Sequence, residues 1–247
     1  MKLRLVAALA ALLALPGVAF AAPEAFPNGF NNVPATHWMR GRDVLEIPYP
    51  TRWVSWFDEF TKYTAGDWVV TEISDSTQAL ADADDGILLL TTLTTEDDAA
   101  HLQSVGELFT FESGKKAYFE ARLRIGDATQ SDFVIGLQVR DTTPLAVANG
   151  VVFQKDDGDA RLDFHSMSGS VDTASTGVYT VVDNTYLTIA YYYDGGTNFQ
   201  VAVNDTVVAS VTATPPTTEL TVSFGVQAGS AAADVLSLDY VWAVKER

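Results

Sequence analysis

Between Ala117 and Ile125 the chain alternates residue by residue. Phe119, Ala121, Leu123 and Ile125 fall on one side of an extended backbone, and Tyr118, Glu120, Arg122 and Arg124 on the other. Such a segment fits only a strand with one face in a core and one charged face outside. A Ser113-Gly114 turn separates it from a shorter apolar run, Leu108 to Phe111. The pair sets the architecture: packed β-layers with charge on the exterior.

The same pattern recurs through most of the chain. Strands are predicted over 53–57, 68–73, 87–95, 117–125, 133–140 and 151–154. Further strands follow over 161–165, 186–193, 199–203, 207–211, 220–226 and 236–244. Asp156-Asp157-Gly158-Asp159, Asp194-Gly195-Gly196 and Asn204-Asp205 supply turn chemistry, and the last two place 199–203 in successive hairpins. Nothing past residue 25 keeps a helical period. Many short strands at regular spacing indicate a sandwich or jelly roll. In 236–244 the pattern puts Leu236, Leu238, Tyr240, Trp242 and Val244 together on the inner side of a central strand.

Two segments precede the β region. Residues 1–21 have the form of a secretory signal peptide: Lys2 and Arg4, an apolar run from Leu5 to Leu15, a Pro16-Gly17 break, and Ala19-Phe20-Ala21 before Ala22. The same run also reads as an apolar arm that packs on a neighbour. Residues 22–52 hold five of the nine prolines (Pro23, Pro27, Pro34, Pro48 and Pro50) and read as an extended arm. That arm wraps its own domain or clamps a neighbouring subunit. The β domain then occupies 53–247.

Composition narrows the function. The formal charge is −17, so no electrostatic footprint for nucleic acid or anionic lipid is present. Basic protein surfaces and neutral glycans remain as partners. There is no cysteine, which removes disulfides, thiolate metal sites and cysteine nucleophiles.

A search for chemistry yields few candidates. Asp58 and Glu59 are adjacent, so on a strand they face opposite ways, and they read as strand-end surface charge. Glu120 and Arg122 share a face and are placed to pair. His37, His101 and His165 have no metal-ligand spacing. Asp82, Asp84 and Asp85 before Gly86, and Asp156, Asp157 and Asp159 around Gly158, offer oxygen ligands for calcium but lack the EF-hand spacing. Tyr191 and Tyr193 read as core and Tyr192 as exposed; the tryptophans, including Trp53, Trp56, Trp68 and Trp242, read mostly as core. No catalytic, cofactor or metal-binding residue is assigned.

The run from Trp56 to Thr71, with Trp56-Phe57-Asp58-Glu59-Phe60 and Tyr63-Thr64-Ala65-Gly66-Asp67-Trp68, resembles the opening of a family of tailed-phage head decoration and structural proteins. Gly86–Thr92, the acidic turn Glu96-Asp97-Asp98, Gln103–Phe109, Ala117–Arg122 and Leu236–Trp242 follow in the order and spacing of that family. The resemblance implies a concanavalin A-like jelly-roll sandwich of two antiparallel sheets behind an extended N-terminal arm. It implies a non-enzymatic capsid decoration or cement subunit on the virion head surface, bound to the major capsid protein and to copies of itself. The wider likeness is to concanavalin A-like lectins, laminin-G modules and family-16-type glycosidases, which gives a second expectation, a secreted, neutral-glycan-binding module, and behind it a third, a family-16-type glycosidase. The glycosidases carry a Glu-x-Asp-x-x-Glu strand that sets alternate carboxylates on one face, and no such segment occurs here.

Overall fold

The computed structural model describes residues 50–81, 83 and 86–247. The signal-like segment and nearly all of the arm lie outside the described residues. Among those described, fifteen strands form two antiparallel sheets, and the helical pieces are two 3-10 turns, Ala65–Asp67 and Pro144–Ala146.

The first sheet runs β13 (Thr206–Thr212), β12 (Asn198–Val203), β11 (Leu187–Tyr193), β6 (Ala117–Ile125), β15 (Val235–Glu246), β4 (Leu88–Thr91) and β3 (Thr77–Leu80). A further strand, β1 (Trp53–Asp58), pairs with the second half of β15, while β4 pairs with its beginning. The second sheet runs β10 (Val171–Thr180), β9 (Arg161–Ser168), β8 (Gly150–Lys155), β7 (Ser131–Gln138), β14 (Thr221–Ala228), β5 (Ala99–Ser104) and β2 (Trp68–Ile73). β5, β6 and β7 pass from the second sheet to the first and back. This is the jelly-roll sandwich expected from the strand pattern, and its fold is concanavalin A-like.

The core lies between the sheets. Phe119, Ala121, Leu123 and Ile125 of β6 all enter it, as their alternation requires. Phe119 stacks on Tyr191 at 5.4 Å, and Phe153, Phe164 and Phe199 surround the same tyrosine. Each buried ring of this size contributes roughly 1.5–3 kcal/mol. Asn204 and Asp205 both take positive φ (48° and 62°), the turn that joins β12 to β13.

β15 departs from its simple pattern. Its pairing with β6 slips between Leu238 and Tyr240. One extra residue exchanges the two faces from there on, so Val241 and Ala243 enter the core. Tyr240 and Trp242 therefore stand on the outer face, where Val244 and Trp242 join a second cluster with Trp53, Tyr118, Ala190 and Tyr192. Tyr192 is on that face but only 6% exposed, so the expected exposed tyrosine is a packed one.

Three strands were not expected: β3, β5 and β10. β5 is buried on both faces, so Ala99–Ser104 lacks alternation. The strand expected over 87–95 is only Leu88–Thr91. It ends where the Asp98 carboxylate accepts the Thr95 amide at 2.9 Å and turns the chain.

Candidate functional site

Two places among the described residues that can meet a ligand are built very differently. The first is the outer face of the second sheet. Register and core membership put His101 and Gln103 of β5, Ser223, Gly225 and Gln227 of β14, and Val134, Gly136 and Gln138 of β7 on this face. Gly150, Val152 and Gln154 of β8 and Asp163, His165 and Met167 of β9 continue it. Two glycines keep it low: a β-carbon on Gly225 would run into the His101 ring, and one on Gly150 would meet the Gln138 side chain at 2.8 Å.

The loop 139–149 is tied to this face by side-chain amides. The Gln103 Nε2 donates to the Val139 carbonyl (3.3 Å), and its Oε1 accepts the Asp141 amide (3.1 Å). Gln138 Nε2 donates to the Pro144 carbonyl (3.2 Å) and to Ser223 Oγ (2.9 Å). A cavity of about 130 Å³ remains beneath the loop, lined by His101, Thr71, Ile73, Gln227 and residues 142–146. His101 is 2% exposed, and its Nε2 has no hydrogen-bond partner among the described residues. Burial holds its pKa down at about 4.

The carboxylates on this face are engaged by neighbouring turns or strands. Asp132 accepts the Asp157 amide (2.6 Å), Asp163 accepts the Gly177 amide, and Asp172 meets His165 Nδ1 at 2.8 Å. His165 thus sits within β9 against β10, not at a strand end. The turn 156–159 is likewise occupied: Asp156 accepts from Gln154, and Asp159 pairs with Arg161. Beneath it, Lys155 is buried and donates to the Ser131 carbonyl, with its pKa lowered by burial. No group of three metal-ligating side chains occurs among the described residues. Asp82, Asp84, Asp85 and His37 lie outside them.

On the outer face of the first sheet, Glu120 and Arg122 do not pair with each other. Glu120 accepts from the hydroxyls of Tyr118 and Tyr240, while Arg122 binds Asp239 and stacks over the Tyr186 ring at 4.3 Å. Burial, with Glu120 beside it, raises the Tyr240 phenol well above its ordinary value.

The second candidate is a cleft of about 320 Å³ where β1 and β2 approach at the edge of the sandwich. Trp56 and Trp68 form its walls, edge to face at 5.8 Å and 86°. Asp58, Asp67, Val105 and Leu108 are among the other residues that line it. Leu108 is 45% exposed and Val105 48%. Asp58 is more than a strand-end surface charge. Its Oδ1 accepts the Phe60 amide at 2.8 Å, holding Phe60 at a positive φ of 51° with its ring in the core. Half-burial raises the Asp58 pKa, and the charges of Asp67 and Glu59 act in the same direction. Trp68 is core as expected, but Trp56 is only partly so.

No family model and no curated protein matches the chain. Solved structures do match. A Bacillus licheniformis β-glucanase is similar at 13% identity, with a TM-score of 0.57 over 76% of this chain and 97% of that one. Peanut lectin is similar at 13% identity and a TM-score of 0.52, over 79% and 97%. A protein of unknown function from Shewanella oneidensis MR-1 is similar at 13% identity and a TM-score of 0.56, over 79% and 87%. The likeness defines the class, concanavalin A-like sandwiches, in which glycoside hydrolases and a lectin share one frame. At such identity it carries the fold and not an activity.

Proposed function

We propose that the chain is a non-enzymatic virion structural protein, a decoration subunit on the phage head that binds the major capsid protein and copies of itself. One observation carries the non-enzymatic part. Glycoside hydrolysis needs two carboxylates roughly 5–9 Å apart and free to act on one bond. The outward positions of β8 are Gly150, Val152 and Gln154, and the flanking Asp132 and Asp163 are each committed to a backbone amide. The amide-anchored loop 139–149 covers part of the outer face of this sheet. The resemblance of the run from Trp56 to Thr71 supports the virion part, and so does the −17 charge, which suits a particle exterior that repels its like. The mechanism is adhesion: a rigid two-sheet block adds bound area across capsid subunits and opposes pressure from the packaged genome.

The test is reconstitution. Purified protein is added to heads that lack it. Saturable binding that weakens with salt, and heads that then resist heating, is the expected result. Failure to bind, or release of reducing sugar from a panel of β-glucans, overturns the reading.

A further inference from the structure

We propose that the cleft between β1 and β2 receives a guanidinium or ammonium side chain from a basic partner surface. Its parts fit a cation better than a neutral or anionic group. Partly buried Trp56 packs edge to face on buried Trp68, which fixes an indole ring in the wall of the cleft. Ring faces attract cations, and a guanidinium also stacks on them. Asp58 and Asp67 line the same space. Asp58 spends one oxygen on the Phe60 amide. A cation therefore meets carboxylate on one side and indole on the other, with charge-assisted hydrogen bonds. The charges acting on Asp58 are those of Lys62 and, in the opposite direction, of Asp67 and Glu59, and both charged groups that line the cleft itself are carboxylates. Its volume lies at the small end of ligand sites, room for one long side chain. Exposed Val105 and Leu108 at the rim give the partner an apolar shoulder to rest the side-chain stem on. On a chain of charge −17 the complementary surface is basic.

The inference depends on the docking reading only for who supplies the side chain, and the isolated protein suffices to test it. Indole N–H signals of Trp56 and Trp68 are followed by NMR during titration with N-acetyl-arginine methylamide. Its uncharged citrulline counterpart and methyl β-glucoside serve as the other arms. The expected result is a saturable shift with the arginine derivative alone, weakened about tenfold in Asp58→Asn/Asp67→Asn. Asparagine keeps the oxygen that Phe60 requires, so an unchanged melting midpoint separates lost binding from lost folding. Equal shifts with citrulline, a response to the glucoside instead, or no saturable shift would overturn the assignment. None of these outcomes bears on whether the protein sits on a virion.

Discussion

The outer face of the second sheet and the edge cleft both contain polar groups, but a loop is tied across the first, while exposed Val105 and Leu108 leave the second open at its rim. On the sheet face Gln103 and Gln138 hold the loop 139–149, Asp132 and Asp163 each accept one backbone amide, and His101 Nε2 has no partner among the described residues. In the cleft, half-buried Asp58 shares the lining with Asp67 and two indoles, and burial, then the charge of Asp67, works against its ionised form. A buried polar group already paired within the fold stabilises it; one left in need of a counter-charge is available to a partner.

Perturbing the two regions should therefore give opposite signatures. The largest stability loss is expected for Gly225→Ala, because a methyl there meets the His101 ring. Overpacking of this kind costs about 3 kcal/mol. Urea unfolding would read it, and a midpoint equal to wild type would mean the ring moves freely.

Acid comes next. The unfolded chain protonates His101 near 6.5, whereas the folded site resists until about 4. The folded state therefore keeps this contribution above pH 6.5 and loses it as pH falls toward 4, by about 3 kcal/mol. The slope of stability against pH over that window should flatten in His101→Phe.

Gln138→Ala removes the partner of the Pro144 carbonyl and of Ser223 Oγ, at a cost of about 2 kcal/mol. Faster amide exchange in 141–149 should accompany it; unchanged exchange would show that the amide does not anchor the loop. In the cleft, Asp58→Asn should move stability by less than about 0.5 kcal/mol while weakening cation binding by part of the roughly tenfold loss expected of the double variant. A large loss of stability there would erase the contrast between the regions.

Much of the fold was legible in the sequence because half-buried strands write their faces into alternate residues. β6 and β2 fall within their predicted limits for that reason. β5 hid because both faces are buried, and β10, Val171–Thr180, because it is an exposed edge with little apolar content. β15 was misread past Leu238 because a bulge leaves no mark on residue type. Tyr192 misled because a pleat tells direction but not what lies above it. The cleft was harder still. Trp56, Asp58, Trp68 and Leu108 come from a strand end, another strand and a loop, and only the turn at Phe60 and the pairing of β2 with β5 bring them together. The absence of an alternate-carboxylate strand, by contrast, was plain at once.

The most direct measurement of the central claim is quantitative mass spectrometry of gradient-purified phage particles and of the medium from cultures that produce this chain. An adhesive head subunit should co-purify in fixed ratio to the major capsid protein and remain after low-salt washing. A chain absent from the heads and recovered in the medium would contradict the account.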